Sequence, residues 1–185
     1  MTMSANIDWI VVLDASLEEA KPLAQKVRDW LMTQQVVSSS APEALSWVGN
    51  DLLGRGMMAA NWETHPAGDR SAQCGMQTII ERRVFHTGDN GIQGFACPIC
   101  KATHSPDDLP WSDAVEAWYS AEPDDCMQCP ACHASPGIVD WTFLTCEWGF
   151  GNLAFGFWNG SIDQRLVEQI ASITGHRCRL VHEHI

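Results

Sequence analysis

The chain has 185 residues, 45% of them hydrophobic and 18% charged, and a net charge of −12 with its histidines neutral. That length carries one domain, or one domain with an inserted module, around a real core. With 23 acidic against 11 scattered basic residues there is no basic stripe to displace counterions from DNA or RNA, which excludes nucleic acid as a partner. No run approaches the roughly 20 apolar residues of a membrane helix, and Met1–Asn6 lacks the basic start and apolar stretch of a leader. The chain therefore reads as cytoplasmic, with Cys74, Cys146 and Cys178 reduced and mostly buried.

Ile7–Leu13 is almost continuously apolar and predicts a strand covered on both faces. Ser16 and Glu19 then form a capping box, and Leu17, Ala20, Leu23, Ala24, Val27, Trp30 and Leu31 recur at steps of three and four. This predicts an amphipathic helix of about 16 residues. Pro22 falls inside the pattern and argues for a start nearer Glu19, where it would sit in the first turn. Gln35–Val37 opens a second strand, 38–42 a loop, and Glu43–Val48 fits either helix or strand. Met57–Trp62 is apolar enough for a strand, and 63–70, with Pro66, Gly68 and Asp69, reads as an exposed loop. Met76–His86 predicts one strand whose Glu81-Arg82-Arg83 interruption marks an edge or a solvated face. Asn90-Gly91 signals a hairpin turn leading through Ile92–Ala96.

Next come Cys97-Pro98-Ile99-Cys100 and, 28 residues on, Cys129-Pro130-Ala131-Cys132. A CxxC turn puts two thiolates on one edge of a tetrahedral ion, and a second completes it with sulfurs about 2.3 Å from the metal. The proline after each first cysteine fixes φ, and Lys101 and His133 can point backbone N–H groups at the sulfurs. Buried or redox thiols would account for one CxxC; two with the same proline predict a four-thiolate zinc site. A complete shell leaves no position for water, so one Zn2+ here would be structural and not catalytic. Cys126-Met127-Gln128-Cys129 overlaps the second pair, so five cysteines compete for four positions. The repeated proline favours Cys97, Cys100, Cys129 and Cys132, leaving Cys126 spare and His104 and His133 as substitute ligands. On these residues the segment 95–134 resembles the zinc-ribbon family, as a module inserted in a single domain spanning 1–185. That family contains nucleic-acid binders, protein binders and structural staples, so the resemblance implies the metal and not the function.

The interior of this segment holds Asp107, Asp108, Asp113, Glu116, Glu122, Asp124 and Asp125 against Lys101 alone, interleaved with Trp111, Val115, Trp118 and Tyr119. Ser112–Trp118 predicts a short capped helix. The composition predicts a docking surface for a basic protein, formed by Asp107, Asp108, Trp111, Asp113, Glu116, Trp118, Asp124 and Asp125. The alternative is a long loop whose tryptophans fold back over the metal.

Gly137–Leu144 and Asn152–Trp158 predict strands joined by a turn at Glu147–Gly151, whose glycines do not follow G-x-G-x-x-G. Ser161 and Gln164 form a second capping box before the stripe Ile162, Leu166, Val167, Ile170, Ala171 and Ile173, which Gly175 closes. Cys178–His182 is a last strand. The order β-α, strands, insertion, strands, α-β predicts an α+β fold. It is a largely antiparallel sheet with two amphipathic helices, ferredoxin-like in arrangement, with the ribbon inserted midway.

No G-x-S-x-G, P-loop, H-E-x-x-H or two-metal carboxylate signature is present. His176, His182 and His184 cluster near the end of the chain, Cys146 beside Glu147 lacks an evident histidine partner, and Asp8, Asp14, Glu81 and Asp140 are acids able to converge in a cleft. The balance favours a non-enzymatic binding protein with a basic partner. Its sharpest version is an inhibitor that caps a basic toxin such as a nuclease, whose surface must be positive to hold phosphates. In size, acidity and lack of catalytic motif the chain resembles bacterial immunity proteins of the type VI secretion kind, which implies neutralisation of a toxin by protein–protein contact. An enzyme with a structural zinc ribbon and a zinc-ribbon regulator are the alternatives.

Overall fold

The computed structural model describes residues 5–49, 51–87 and 91–185. In chain order they form β1 (Asn6–Val12), α1 (Leu17–Thr33), β2 (Val37–Ser38), β3 (Leu53–Arg55), β4 (Gly75–Ile79), β5 (Arg83–Phe85), β6 (Phe95–Ala96), β7 (Thr103–His104), α2 (Trp111–Tyr119), β8 (Thr142–Phe143), β9 (Gly149–Gly151), β10 (Leu153–Trp158), α3 (Gln164–Thr174) and β11 (Cys178–His184). They divide into two compact units, Met1–Phe85 with Gly149–Ile185, and His86–Trp148. No helix among the described residues is long and apolar enough to cross a membrane.

The first unit is built on an antiparallel six-stranded sheet in the order β11-β1-β10-β4-β3-β2. Taken alone, β1, α1, β4, β10, α3 and β11 follow a β-α-β-β-α-β course with spatial order β11-β1-β10-β4, the split βαβ arrangement expected from the sequence. The second unit interrupts this course in sequence between β5 and β9. Strand periodicity decides the two faces of the sheet. Ile10, Val12, Met76, Leu153, Phe155 and Phe157 pack in one core with Ala20, Ala24, Val27 and Leu31 of α1 and Leu166, Val167 and Ile170 of α3. Each large apolar side chain buried there contributes about 1.5–3 kcal/mol relative to exposure, so the helices are held by packing more than by propensity. The opposite face carries Ile7, Trp9, Val11, Ala154, Trp158 and Val181. There the Trp9 ring lies over Gly156, where a Cβ would stand 2.4 Å from the nearest ring atom. Only glycine permits that approach.

Ser16 caps α1 with Glu19 as expected, but the helix runs from Leu17 with Pro22 inside it. Packing of the apolar stripe outweighs the one hydrogen bond that Pro22 cannot make. Several expected boundaries move. Met57–Trp62 is not a strand: Met57 and Met58 are exposed and Ala59–Trp62 forms a 3-10 turn. Met76–His86 splits in two, β4 pairing with β10 and β5 with β9 in a separate sheet, with the break at residues 80–82 and Arg83 already paired in β5. The Asn90-Gly91 turn lies partly outside the described residues. Asp163, not Ser161, caps α3, accepting from the Arg165 N–H, while the Ser161 hydroxyl donates to the His65 carbonyl. Gly175, at φ 75°, closes α3 as expected.

In the second unit β6 is flanked by β7 and β8. Gly137–Leu144 is a 3-10 turn at Ile138–Asp140 followed by the short β8, rather than one strand. Its interior is aromatic: Phe95, Trp141 and Phe143 are buried, and the Phe95 and Phe143 rings lie 4.9 Å apart, edge to face. The helix α2 begins after Pro110 without a side-chain cap and turns Ala114, Ala117 and Trp118 inward.

Candidate metal centre

The two CPxC segments fold as near copies, offset by 32 residues. Cys97 N–H bonds the Ala102 carbonyl at 3.0 Å and Cys129 N–H bonds that of Ala134 at 2.8 Å. Lys101 and His133 both adopt positive φ, 64° and 60°, and return their N–H groups to the carbonyls of Cys97 and Cys129. Contrary to the expectation from the sequence, they do not point at the sulfurs; that place is taken by the N–H groups of Ala131 and Cys132 on the Cys129 sulfur and of Ala134 on that of Cys132. The parallel extends outward, since Phe95 pairs with His104 as Met127 does with Pro136.

This symmetry brings Cys97, Cys100, Cys129 and Cys132 together, with all four sulfurs within 4.8 Å of one another. The Cys97–Cys132 and Cys100–Cys129 sulfurs are 3.9 and 3.7 Å apart. Sulfurs at the corners of a tetrahedron with bonds of about 2.3 Å lie about 3.8 Å apart, so the four are placed to hold a metal ion. Cys97 and Cys129 are buried, Cys132 is half-buried and Cys100 is exposed. Burial pushes the Cys129 thiol up, but the N–H groups of Cys132 and Ala131 and the neighbouring Cys100 and Cys132 thiols outweigh it and bring it down to about 6. The Ala134 N–H favours the Cys132 thiolate, yet burial and the crowding of the Cys100, Cys129 and Cys97 thiols push that thiol up to about 11. Four thiols this close cannot all ionise near neutrality on their own, and a bound cation removes the conflict.

Cys126 is exposed, lies outside the cluster and bonds through its sulfur to Asp125. Of the five cysteines, the four that gather are those that share the CPxC proline. His133 is exposed and His104 stands beside the cluster, its Nε2 3.3 Å from the Cys129 sulfur. No other group of three or more metal-ligating side chains gathers among the described residues.

Asp107, Asp108, Asp113, Glu116 and Asp124 are exposed and Asp125 is half-buried. Trp111 is half-buried, its ring 6.1 Å from that of Phe95. Trp118 is buried in the unit's interior and so is removed from the expected docking surface; the exposed aromatic of α2 is its neighbour Tyr119, 58% accessible. The stripe of Ala114, Ala117 and Trp118 at steps of three and one carried that signal in the sequence.

The remaining candidates separate. Asp8 accepts the Ile162 N–H at 2.7 Å and pairs with His182 Nδ1 at 2.6 Å, whereas Asp14 pairs with Arg177 at 2.7 Å beyond the other end of β1. They lie about 20 Å apart along the strand and share no cleft. His176 stands 3.8 Å from Glu19, far along β11 from His182, and Cys146 is buried. No family model, curated protein or solved structure matches the chain.

Proposed function

We propose that the protein is a non-enzymatic, acidic binding protein of the cytoplasm whose His86–Trp148 unit carries one structural zinc and docks a basic protein. Zinc is the metal that four thiolates in a tetrahedron favour, and it brings no redox chemistry of its own. One observation carries the docking reading. Asp107, Asp108, Asp113, Glu116, Glu122 and Asp124 are exposed, and none is ion-paired with Lys or Arg among the described residues. The single base of the segment, Lys101, is turned away and donates to the Pro98 carbonyl at 2.8 Å. Asp113 and Glu116 share one face of α2 with Tyr119 at the next step, giving an acidic surface with an exposed aromatic anchor. Four thiolates and a dication add two further negative charges nearby. Such a field steers and selects a cationic surface, and a nuclease toxin neutralised by this chain is the sharpest form of that partner.

The test is the variant Asp107→Asn, Asp108→Asn, Asp113→Asn, Glu116→Gln, measured against the basic protein that co-purifies with the wild type. The association rate falls at least about tenfold at low ionic strength, and salt erases the difference. Equal rates at every salt concentration would overturn the reading.

A further inference from the structure

We infer that His104 is a positioning residue of the metal centre, its Nε2–H donating to the Cys129 sulfur so that this buried thiolate is held on the metal with part of its charge offset. The inference rests on the zinc reading above. The Nε2–Sγ separation of 3.3 Å is that of an N–H···S hydrogen bond, and His104 is not among the four mutually adjacent ligand atoms, so it stands beside the shell and not in it. Metal sites of this kind take much of their affinity from such outer partners.

The fold fixes the ring from several sides. His104 pairs with Phe95 in the β6–β7 ladder. Gly94 lets the strand come close, since a Cβ there would stand 2.9 Å from the His104 carbonyl oxygen. The buried Trp141 ring lies 6.1 Å from the imidazole, and its own Nε1–H is anchored on the Pro136 carbonyl at 3.3 Å.

The near-symmetry of the two CPxC segments makes His104 informative. Its counterpart by ladder position is Pro136, which has no N–H and no polar side chain. Among the described residues, only one of the two buried sulfurs, that of Cys129, receives a histidine donor of this kind. The bond requires hydrogen on Nε2, with Nδ1 left as an acceptor in the neutral ring. A tetrathiolate site with a dication carries a net charge of about −2. Cys129 is buried, so an added N–H there replaces the water its thiolate cannot reach.

The test uses the full-length protein loaded with Co2+, whose thiolate-to-metal charge-transfer absorption reports the electron richness of the sulfurs. Wild type, His104→Leu and His104→Gln are compared for band position and for the rate of metal loss to a chelator. The leucine variant keeps one metal per chain and four-thiolate absorption, with the charge-transfer band moved to lower energy and metal lost about 10–100-fold faster. Glutamine, whose amide N–H reaches a similar point, restores most of both. A leucine variant with unmoved band and unchanged rate overturns the inference while leaving the metal site standing. So does a glutamine variant as impaired as leucine with the band unmoved, which would make the role one of packing. Loss of the tetrahedral spectrum would make His104 a ligand and overturn it too. Wild-type protein that takes up no cobalt overturns the zinc reading and this inference with it.

Discussion

Asp8 and His182 meet at 2.6 Å across the β1–β11 ladder, and the same carboxylate accepts the Ile162 backbone N–H at 2.7 Å just before α3. One buried acid thus ties the edge strand to its neighbour and fixes the approach to a helix. Donating its Nδ1–H to the Asp8 carboxylate raises the His182 pKa above its ordinary 6.5, outweighing burial. A group whose folded value is raised contributes stability that is full below its unfolded value and is lost as pH rises through the folded one. The unfolding free energies of wild type and His182→Ala should therefore differ most near about pH 5, and the gap should close as pH passes above about 6.5. The His182 side chain is 66% exposed, so the effect is at most about 1 kcal/mol. Urea unfolding of the two proteins across this range checks it, and a gap that widens with pH would contradict it.

Gly156 has no room for a methyl group beneath Trp9, where three ring atoms lie 2.4 to 2.7 Å from the position of a Cβ. Gly156→Ala should lower stability by about 1–3 kcal/mol, because the ring is buried in the core and must shift to admit the methyl. Gly160→Ala, whose nearest neighbour is at 3.8 Å, should be nearly silent. Denaturant midpoints at unchanged slope provide the comparison.

Four cysteines gather, and Cys126 lies outside them. Cys129→Ser should abolish stoichiometric zinc and loosen the second unit, visible as loss of near-ultraviolet circular dichroism from its tryptophans. Cys126→Ser should leave one zinc per chain, since that sulfur lies outside the cluster. Metal analysis after dialysis reads both, and zinc lost equally in the two variants would mean that the pairs are misassigned.

Adjacent aromatics on α2 should divide stability from binding. Trp118→Ala removes a buried side chain and should destabilise the second unit by about 3–5 kcal/mol. Tyr119→Ala should leave stability within about 0.5 kcal/mol and weaken the partner complex. Thermal melts and affinity measured side by side decide whether the exposed ring is an anchor.

What the sequence disclosed was what local chemistry determines. The Ser16–Glu19 box, the apolar run of β1 and the two CPxC turns each carry their instruction within a few residues, and each is found where it was expected. The break between β4 and β5 was less legible, because it depends on which strand each half pairs with, and β10 and β9 lie about 70 residues away in sequence. Ser161 satisfied the capping pattern, yet its hydroxyl is taken by the His65 backbone, and Asp163 does the capping. The sequence offered His104 only as a substitute ligand; its contact with Cys129 was not legible, since 25 residues separate the two and only the folding of one CPxC segment onto the other brings them together.

The most direct measurement is native mass spectrometry of tagged protein purified from its own cells, run in parallel with the variant Asp107→Asn, Asp108→Asn, Asp113→Asn, Glu116→Gln. Wild-type chain should carry one zinc in a stoichiometric complex with a basic protein, and the zinc-loaded variant should be largely without it. Zinc-loaded wild type with no partner, or a partner retained equally by the variant, would contradict the proposal that the acidic face is the working surface.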